Sequence, residues 1–323
     1  MKYQLYPLKF QPILKDKIWG GEKLNQYLNK DSKSKKLGES WEVSAVPGDV
    51  SIVSNGELKG KSLQELLGIY KSELLGEKNW KRFGEEFPLL IKFIDAKENL
   101  SIQLHPNDEL AKKRHNSFGK TEMWYVMQAD KDANLIVGFK DKIDKETYLK
   151  HLEAKTLTDI LNFDKVKEGD TYLIEAGRVH AIGAGVLLAE IQQTSDVTYR
   201  VYDWGRLDSE GNARKLHKDN AIDAFDFEMK NDFRIDYKKQ KNASNIIINC
   251  PFFTTNFITI DSEIKKQNTY DSFIIYMCVD GDVEILTDNS LNSISKGETL
   301  LIPAHIKSFK LKSNSGKLLE VYV

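Results

Sequence analysis

Residues 168–185 read "EGDTYLIEAGRVHAIGAG". A β-compatible run, "TYLI", stops at "EAGR", and a second short run follows and ends at "GAG". Gly-containing breaks between such runs mark turns, so the stretch reads as short strands joined by tight connections. His180 stands just past the Gly-bounded turn. Short strands repeated between turn residues build sandwiches or barrels.

The same pattern extends in both directions. Residues 35–56, "KKLGESWEVSAVPGDVSIVSNG", predict strands joined by turns at "PGD" and "NG". Residues 61–84 switch to helical spacing, with Leu63, Leu66, Leu67 and Tyr70 on one stripe. Residues 87–106 return to strand. "NDELAKKRHNSFG", 107–119, reads as a short helix with Asn107 or Asp108 as N-cap and Gly119 at its end. "TEMWYVMQAD", 121–130, is a strand. Residues 141–163 read as helix in two pieces, and 214–227 as one more helix. From Gly169 to about Tyr202 the pattern is strand. Past about residue 235 come short strands with "DGD" and "DNS" turns and almost no helix signal. The lysine-rich "YKKQKN" at 237–242 predicts a division into 1–236 and 237–323. The fold class expected is mainly β, with helices inserted in the first part.

Bulk composition excludes several function classes. The chain has 323 residues, room for about two domains at roughly 150 residues each. Its 47 basic and 48 acidic residues leave a net charge of −1, which gives no electrostatic footprint for a nucleic-acid partner. No apolar run approaches ~18 residues, so no membrane span is expected. Lys15 and Lys17 interrupt the stretch where a signal peptide needs apolar residues, and the start reads as mature protein. Two cysteines, Cys250 and Cys278, read as small buried hydrophobes and fit a reducing cytoplasm.

"LSIQLHP", 100–106, carries the first chemical signal. Strand side chains alternate, so Leu100, Ile102 and Leu104 face one side and Ser101, Gln103 and His105 the other. A polar stripe on a core strand calls for partners. Glu122 in "KTEMWYV" shares a strand face with Lys120 and Trp124, and His180 follows its turn. An amide oxygen, a carboxylate and two imidazoles suit a divalent ion such as zinc, the amide being the weakest donor. Three firm ligands and one weak or open position are what a catalytic metal needs.

The stretch 168–185 resembles the second sequence motif of the cupin superfamily, a double-stranded β-helix (jelly roll) barrel. Gln103, His105 and Glu122 would then occupy the first motif, with Gln103 replacing a His and a helix at 107–116 filling a longer gap. Glu175 and Ala184 depart from the usual Pro and Asn. Together, "GESWEVSAVPGD", "LSIQLHPND", "GKTEMWYV" and "GRVHAIGAGVLLAEIQQTSDVTYRVYDWGR" resemble the type I mannose-6-phosphate isomerases in their short bacterial form, from about residue 10 to the end. The resemblance implies a zinc-dependent aldose–ketose isomerase with one ion per chain, acting on a small sugar phosphate. It implies His105, Glu122, His180 and, ranked below them, Gln103 as zinc ligands, and Arg200 as the active-site arginine.

Such a reaction moves a hydrogen between adjacent carbons, by a proton-transfer route through a cis-enediol. Arg200 is the expected cation at the developing oxyanion. Lys120 and Glu190 are the expected proton carriers, with no ranking between them. Lys120 also counts as a substrate contact, and a dication beside it would lower its pKa. Ser101 is expected to hold a phosphate oxygen. Residues 237–323, with "KGETLLIPAH" but no upstream "HxH", are expected to form a degenerate, metal-free cupin-like domain. Two competing readings share the fold: a non-catalytic sugar-binding module and a metal-dependent oxygenase.

Overall fold

The computed structural model describes residues 3–207, 210–230 and 232–323. Two antiparallel sheets enclose a common interior in the first two-thirds of the chain. The larger runs in the order Ile13–Gly21, Leu37–Val43, Leu89–Ala96, Val186–Gln193, Glu122–Ala129, Thr171–Ile174. The smaller runs Tyr199–Tyr202, Ile102–Leu104, His180–Ile182, Asn134–Phe139, Leu161–Lys165. The opening motif therefore spans the two sheets. Thr171–Ile174 pairs with Glu122–Ala129 in one, and His180–Ile182 pairs with Ile102–Leu104 in the other. Gly177 makes the crossing at φ 86°, with no room for a side chain: a Cβ would meet the Ala224 carbonyl oxygen at 2.5 Å.

A second pair of sheets follows. Five strands run Asn245–Asn249, Thr254–Ile260, Gly316–Tyr322, Ile274–Asp280, Thr299–Ile302, and four run Glu263–Gln267, Ser308–Lys312, Asp282–Thr287, Ser290–Ser295. The two sandwiches share a core. Ile91, Phe93, Met123, Tyr125, Ala189 and Ile191, on the outer face of the six-stranded sheet, cluster with Phe257, Ile275, Leu319 and Val321. Leu8 exchanges backbone hydrogen bonds of 2.8 and 2.9 Å with Leu301. The six-stranded sheet is thus covered on both faces, which is why "LLIKFI" lacks polar alternation. Each such side chain, fully buried, contributes about 1.5–3 kcal/mol.

The mainly-β expectation holds, with informative departures. The helical stretch 61–84 breaks at Lys71 (φ 49°) and Gly76 (φ 92°) into Leu63–Tyr70, Ser72–Leu75 and Glu77–Phe83. A capping box from Ser62 and Glu65 starts the first. Residues 141–163 give one α-helix, Lys145–Glu153, and a 3₁₀ turn, Leu157–Ile160, before Leu161 enters a strand. In 214–227 only Lys218–Ile222 is helical. Phe225 and Phe227 stack on Phe139 at 6.1 and 5.8 Å, and that apolar contact takes the chain out of the helix. The strands Ile13–Gly21 and Asn134–Phe139 had no expectation attached to them. Among the described residues no helix is long and apolar enough to cross a membrane. Cys278 is buried, Cys250 half-buried, and both are free thiols.

Inside the second sandwich Glu320 is fully buried. It accepts hydrogen bonds from Tyr276 (2.7 Å), Asn256 (2.9 Å) and Ser244 (2.8 Å) and pairs with Lys266 at 2.6 Å. Burial alone would raise its pKa, but Lys266, Tyr276 and Asn256 together hold it below the ordinary value. Stability from a depressed carboxylate is present above the unfolded pKa of about 4.3 and lost as pH falls through the folded value. Glu320→Gln should therefore cost about 3 kcal/mol at pH 7, with the gap to wild type closing below about pH 4. Urea unfolding of both proteins across pH 3–7 checks this; a pH-independent gap would show that the charge carries none of the effect.

Candidate active site

Alternation inside the first barrel builds the site. On Glu122–Ala129, Met123, Tyr125 and Met127 join the outer core, while Glu122, Trp124 and Val126 point inward. On Val186–Gln193, Leu188, Glu190 and Gln192 take the inward face. On Leu89–Ala96, Lys92 and Ile94 do. Val126, Leu188 and Ile94 fill the interior with hydrocarbon, and the charged residues form a polar tier beside them. As expected, Ile102 and Leu104 pack away from the interior, beneath the helix Lys145–Glu153. Leu100, expected on their face, lies before the strand begins and packs inward on the cavity wall. Asn107 caps the helix Asp108–His115 through Leu110 N at 3.0 Å. Gly119 then passes so close to that helix start that a Cβ would lie 2.5 Å from Asp108 N, and this approach delivers Lys120 and Glu122 to the interior.

His105, Glu122 and His180 are each about 1% exposed, and one donor atom from each lies within 4.8 Å of the others. Glu122 Oε1 is 3.4 Å from His180 Nε2, and Glu122 Oε2 is 3.6 Å from His105 Nε2. Each ring places Nδ1 2.8 Å from a main-chain carbonyl, Val197 for His105 and Arg178 for His180. A carbonyl only accepts, so Nδ1 carries the proton and both Nε2 lone pairs face the carboxylate. Burial, with Lys120 and His180 nearby, holds His105 well below its ordinary pKa; burial takes His180 down to about 4. Both rings are neutral at pH 7, as ligands require. Glu122 Oε1 has no hydrogen-bond partner among the described residues. Burial and the neighbouring Glu190 push Glu122 above its ordinary pKa. An under-compensated carboxylate facing two imidazole lone pairs fits a divalent cation.

The other expected residues gather round this centre. Lys120 Nζ lies 2.8 Å from Glu122 and 3.2 Å from His105 Nε2. Burial opposes its charge, but Glu122 and Glu190 outweigh it and raise the Lys120 pKa. The expected lowering by a dication acts against these two carboxylates. Glu190 accepts from Trp124 Nε1 at 2.9 Å and pairs with Lys92 at 3.1 Å; against the cost of burial, Lys92 and Lys120 hold it below the ordinary range. Gln103 turns its amide nitrogen to His180 Nε2 (3.5 Å) and its oxygen to Ser101 Oγ (3.2 Å). To offer oxygen to the centre, the amide must flip. Arg200 Nε donates to Ser101 Oγ at 3.3 Å. Burial and the nearby Arg214 lower the Arg200 pKa.

A cavity of about 350 Å³ joins Ser101, Gln103, Lys120, His180, Glu190 and Arg200. Its walls also include residues that sequence reasoning left out: Lys17, Trp19, Glu39, Trp41, Lys92, Asp196, Thr198 and Arg214. Glu39 accepts from Trp41 Nε1 at 2.7 Å and meets Lys17 at 3.4 Å. A signal for Lys92 was present, since a lone lysine in "LLIKFID" must be buried and paired.

A jelly-roll barrel with two imidazoles and a carboxylate at one interior end defines a protein of the cupin class with a candidate metal site. Residues 7–143 match the family described as phosphomannose isomerase type I, catalytic domain, and 242–323 match mannose-6-phosphate isomerase, cupin domain. The mannose-6-phosphate isomerase of Streptococcus mutans is 35% identical over 305 residues, covering 94% of each chain. A mannose-6-phosphate isomerase of Bacillus subtilis is 34% identical over 311 residues, covering 95% of this chain and 96% of its own. A crystal structure of mannose 6-phosphate isomerase from Bacillus subtilis superposes with a TM-score of 0.89 at 31% identity, covering 98% of this chain and 99% of that one. The chain belongs to the type I mannose-6-phosphate isomerase family of enzymes.

Lys92 and Glu190 are 7% and 4% exposed in their side chains, so neither can transfer its charge to water. Lys92→Met should cost about 3–5 kcal/mol in denaturant unfolding, because Glu190 keeps a buried charge without its nearest partner. A loss under about 1 kcal/mol would show that Lys120 alone neutralises Glu190.

Proposed function

We propose that this protein interconverts mannose 6-phosphate and fructose 6-phosphate, with one zinc ion held by His105, Glu122 and His180 and with Gln103 as an additional, weaker ligand. The observation that carries this reading is the convergence of the three buried donors, one of which, His180, lines a cavity that also holds Lys120, Glu190, Ser101 and Arg200. The names of the relatives supply the substrate pair. When bound, zinc would supply Lewis acidity and a template for substrate oxygens.

The chain's own residues supply the proton traffic. Lys120, kept charged by two carboxylates, is suited to give a proton to a substrate oxygen. Glu190, kept ionised by Lys92, is suited to take one from carbon. The two roles need opposite protonation states, and their environments provide them. Arg200 is the cation for negative charge on the enediol oxygens, and Ser101, hydrogen-bonded to it, is a contact for the phosphate. We also read the chain as two functional parts, 1–236 carrying this site and 237–323 a metal-free cupin-like domain, in a reducing cytoplasm.

A coupled assay with mannose 6-phosphate should show turnover that a chelator abolishes and zinc restores. Bound iron with oxygen uptake, or sugar binding without turnover, would overturn the reading. His180→Ala should lose metal and activity together, measured by elemental analysis and the same assay; an active, zinc-replete variant removes His180 from the ligand set. Arg200→Ala should retain zinc and lose about 100-fold or more in kcat, the scale of an oxyanion stabiliser. A change under about tenfold would return Arg200 to a structural role.

A further inference from the structure

The segment Thr194–Thr198 links the strands Val186–Gln193 and Tyr199–Tyr202, and it belongs to no strand or helix itself. Its Val197 carbonyl accepts from His105 Nδ1 at 2.8 Å, so its position sets the plane of that ring. Open space lies on both sides of it. Asp196 and Thr198 line the 350 Å³ cavity, and Thr194 to Val197 line a separate cleft of about 610 Å³ with His115 and Phe118. A backbone segment between two cavities has little packing to hold it, so hydrogen bonds must do so.

Thr194 ties the start of the segment, by its hydroxyl to the Phe87 carbonyl at 2.6 Å and by its N–H to the Pro88 carbonyl at 2.9 Å. The side chain that reaches beyond it, to Ser195, is Gln192. It is fully buried, on the inward face of its strand, and directly opposite Glu122 in the ladder. Its Nε2 donates to the Ser195 carbonyl at 2.7 Å and to the Gln193 carbonyl at 2.8 Å. Flipping the amide would turn its oxygen against two carbonyls, so the orientation is fixed. The consequence is that Gln192 Oε1 is buried without a hydrogen-bond partner among the described residues. An orphaned acceptor is a cost that Met or Leu in this place would not incur. What the amide supplies in return is the clamp on Ser195, two residues before the carbonyl that orients His105.

We propose that Gln192 is a positioning residue for the metal centre: it holds the Ser195 carbonyl and thereby fixes the segment whose Val197 carbonyl orients His105. The inference rests on the reading of His105 as a cation ligand. His180 is an internal control, because its Nδ1 bonds the Arg178 carbonyl, which no Gln192 contact touches.

The test uses full-length protein with ¹⁵N-labelled histidine, zinc-loaded and after chelation. In wild type, both Nδ1–H protons should be protected from exchange. In Gln192→Met, which keeps the volume and removes both donors, His105 Nδ1–H should lose protection while His180 keeps it. Zinc affinity by chelator competition should fall about 10- to 100-fold, the usual effect of removing support behind a ligand. Gln192→Glu, whose carboxylate repels both carbonyls, should act likewise and serves if the Met variant does not fold. Unchanged His105 protection in a folded variant overturns the proposal, as does equal loss at both histidines or failure of both variants to fold. Absence of zinc binding in wild type would overturn the metal reading instead, while the ring protection after chelation still reports on Gln192.

Discussion

The structure depends on one constraint: charged side chains on the inward face of a closed sheet must neutralise one another. Strand alternation gives Lys92, Glu122 and Glu190 no route to solvent. Glu190 pairs with Lys92 and accepts from Trp124. Lys120 spans what remains, touching Glu122 and His105. The shortfall falls on Glu122, whose Oε1 has no donor among the described residues and whose pKa rises. The site is therefore a place where two lysines balance two glutamates, yet a carboxylate oxygen beside two imidazole lone pairs lacks a donor among the described residues.

The second sandwich obeys the same rule with a different result. Glu320 also points inward, alternating with Leu319 and Val321 on the shared core. Four donors surround it, Lys266, Tyr276, Asn256 and Ser244, and its pKa falls. A carboxylate so fully partnered has no unmet demand for a cation. Two barrels of similar build thus differ in how a buried inward acid is partnered, Glu320 by four donors and Glu122 by fewer.

What the sequence made legible follows from local periodicity. The i, i+2 pair Gln103 and His105, the turn before His180, and Glu122 with Lys120 are all within reach of strand alternation, and the structure brings them together. The start of the helix 108–115 was legible because its cap is local; its end was not, since Asn116 in the left-handed region (φ 49°), and not Gly119, closes it. The partners of Lys92 and Glu39 were not, because bringing them beside Glu190 needs the strand order Leu37–Val43, Leu89–Ala96, Val186–Gln193, which no single stretch encodes. The shortened helix at 218–222 was missed for the same reason. Its competitor is a cluster on Phe139, far off in sequence. The two carboxylates that raise the Lys120 pKa were not legible either, because their approach to the amine depends on strand order.

Both imidazoles are oriented by main chain rather than by carboxylates. A carbonyl fixes the tautomer as an acidic partner would, yet adds no further negative charge to an interior where Glu122 and Glu190 already repel. The cost is that ring geometry is only as firm as the backbone behind it. Behind His180 that backbone is the strand crossing at Gly177, tied by the buried Arg178 side chain to Asp226 at 2.8 Å. Behind His105 it is an irregular segment between two cavities, tied by a buried amide. The two imidazoles thus rest on different supports, and that of His105 belongs to the segment that also forms the cavity wall through Asp196 and Thr198. Any movement of that wall is coupled, through a single carbonyl, to the orientation of His105.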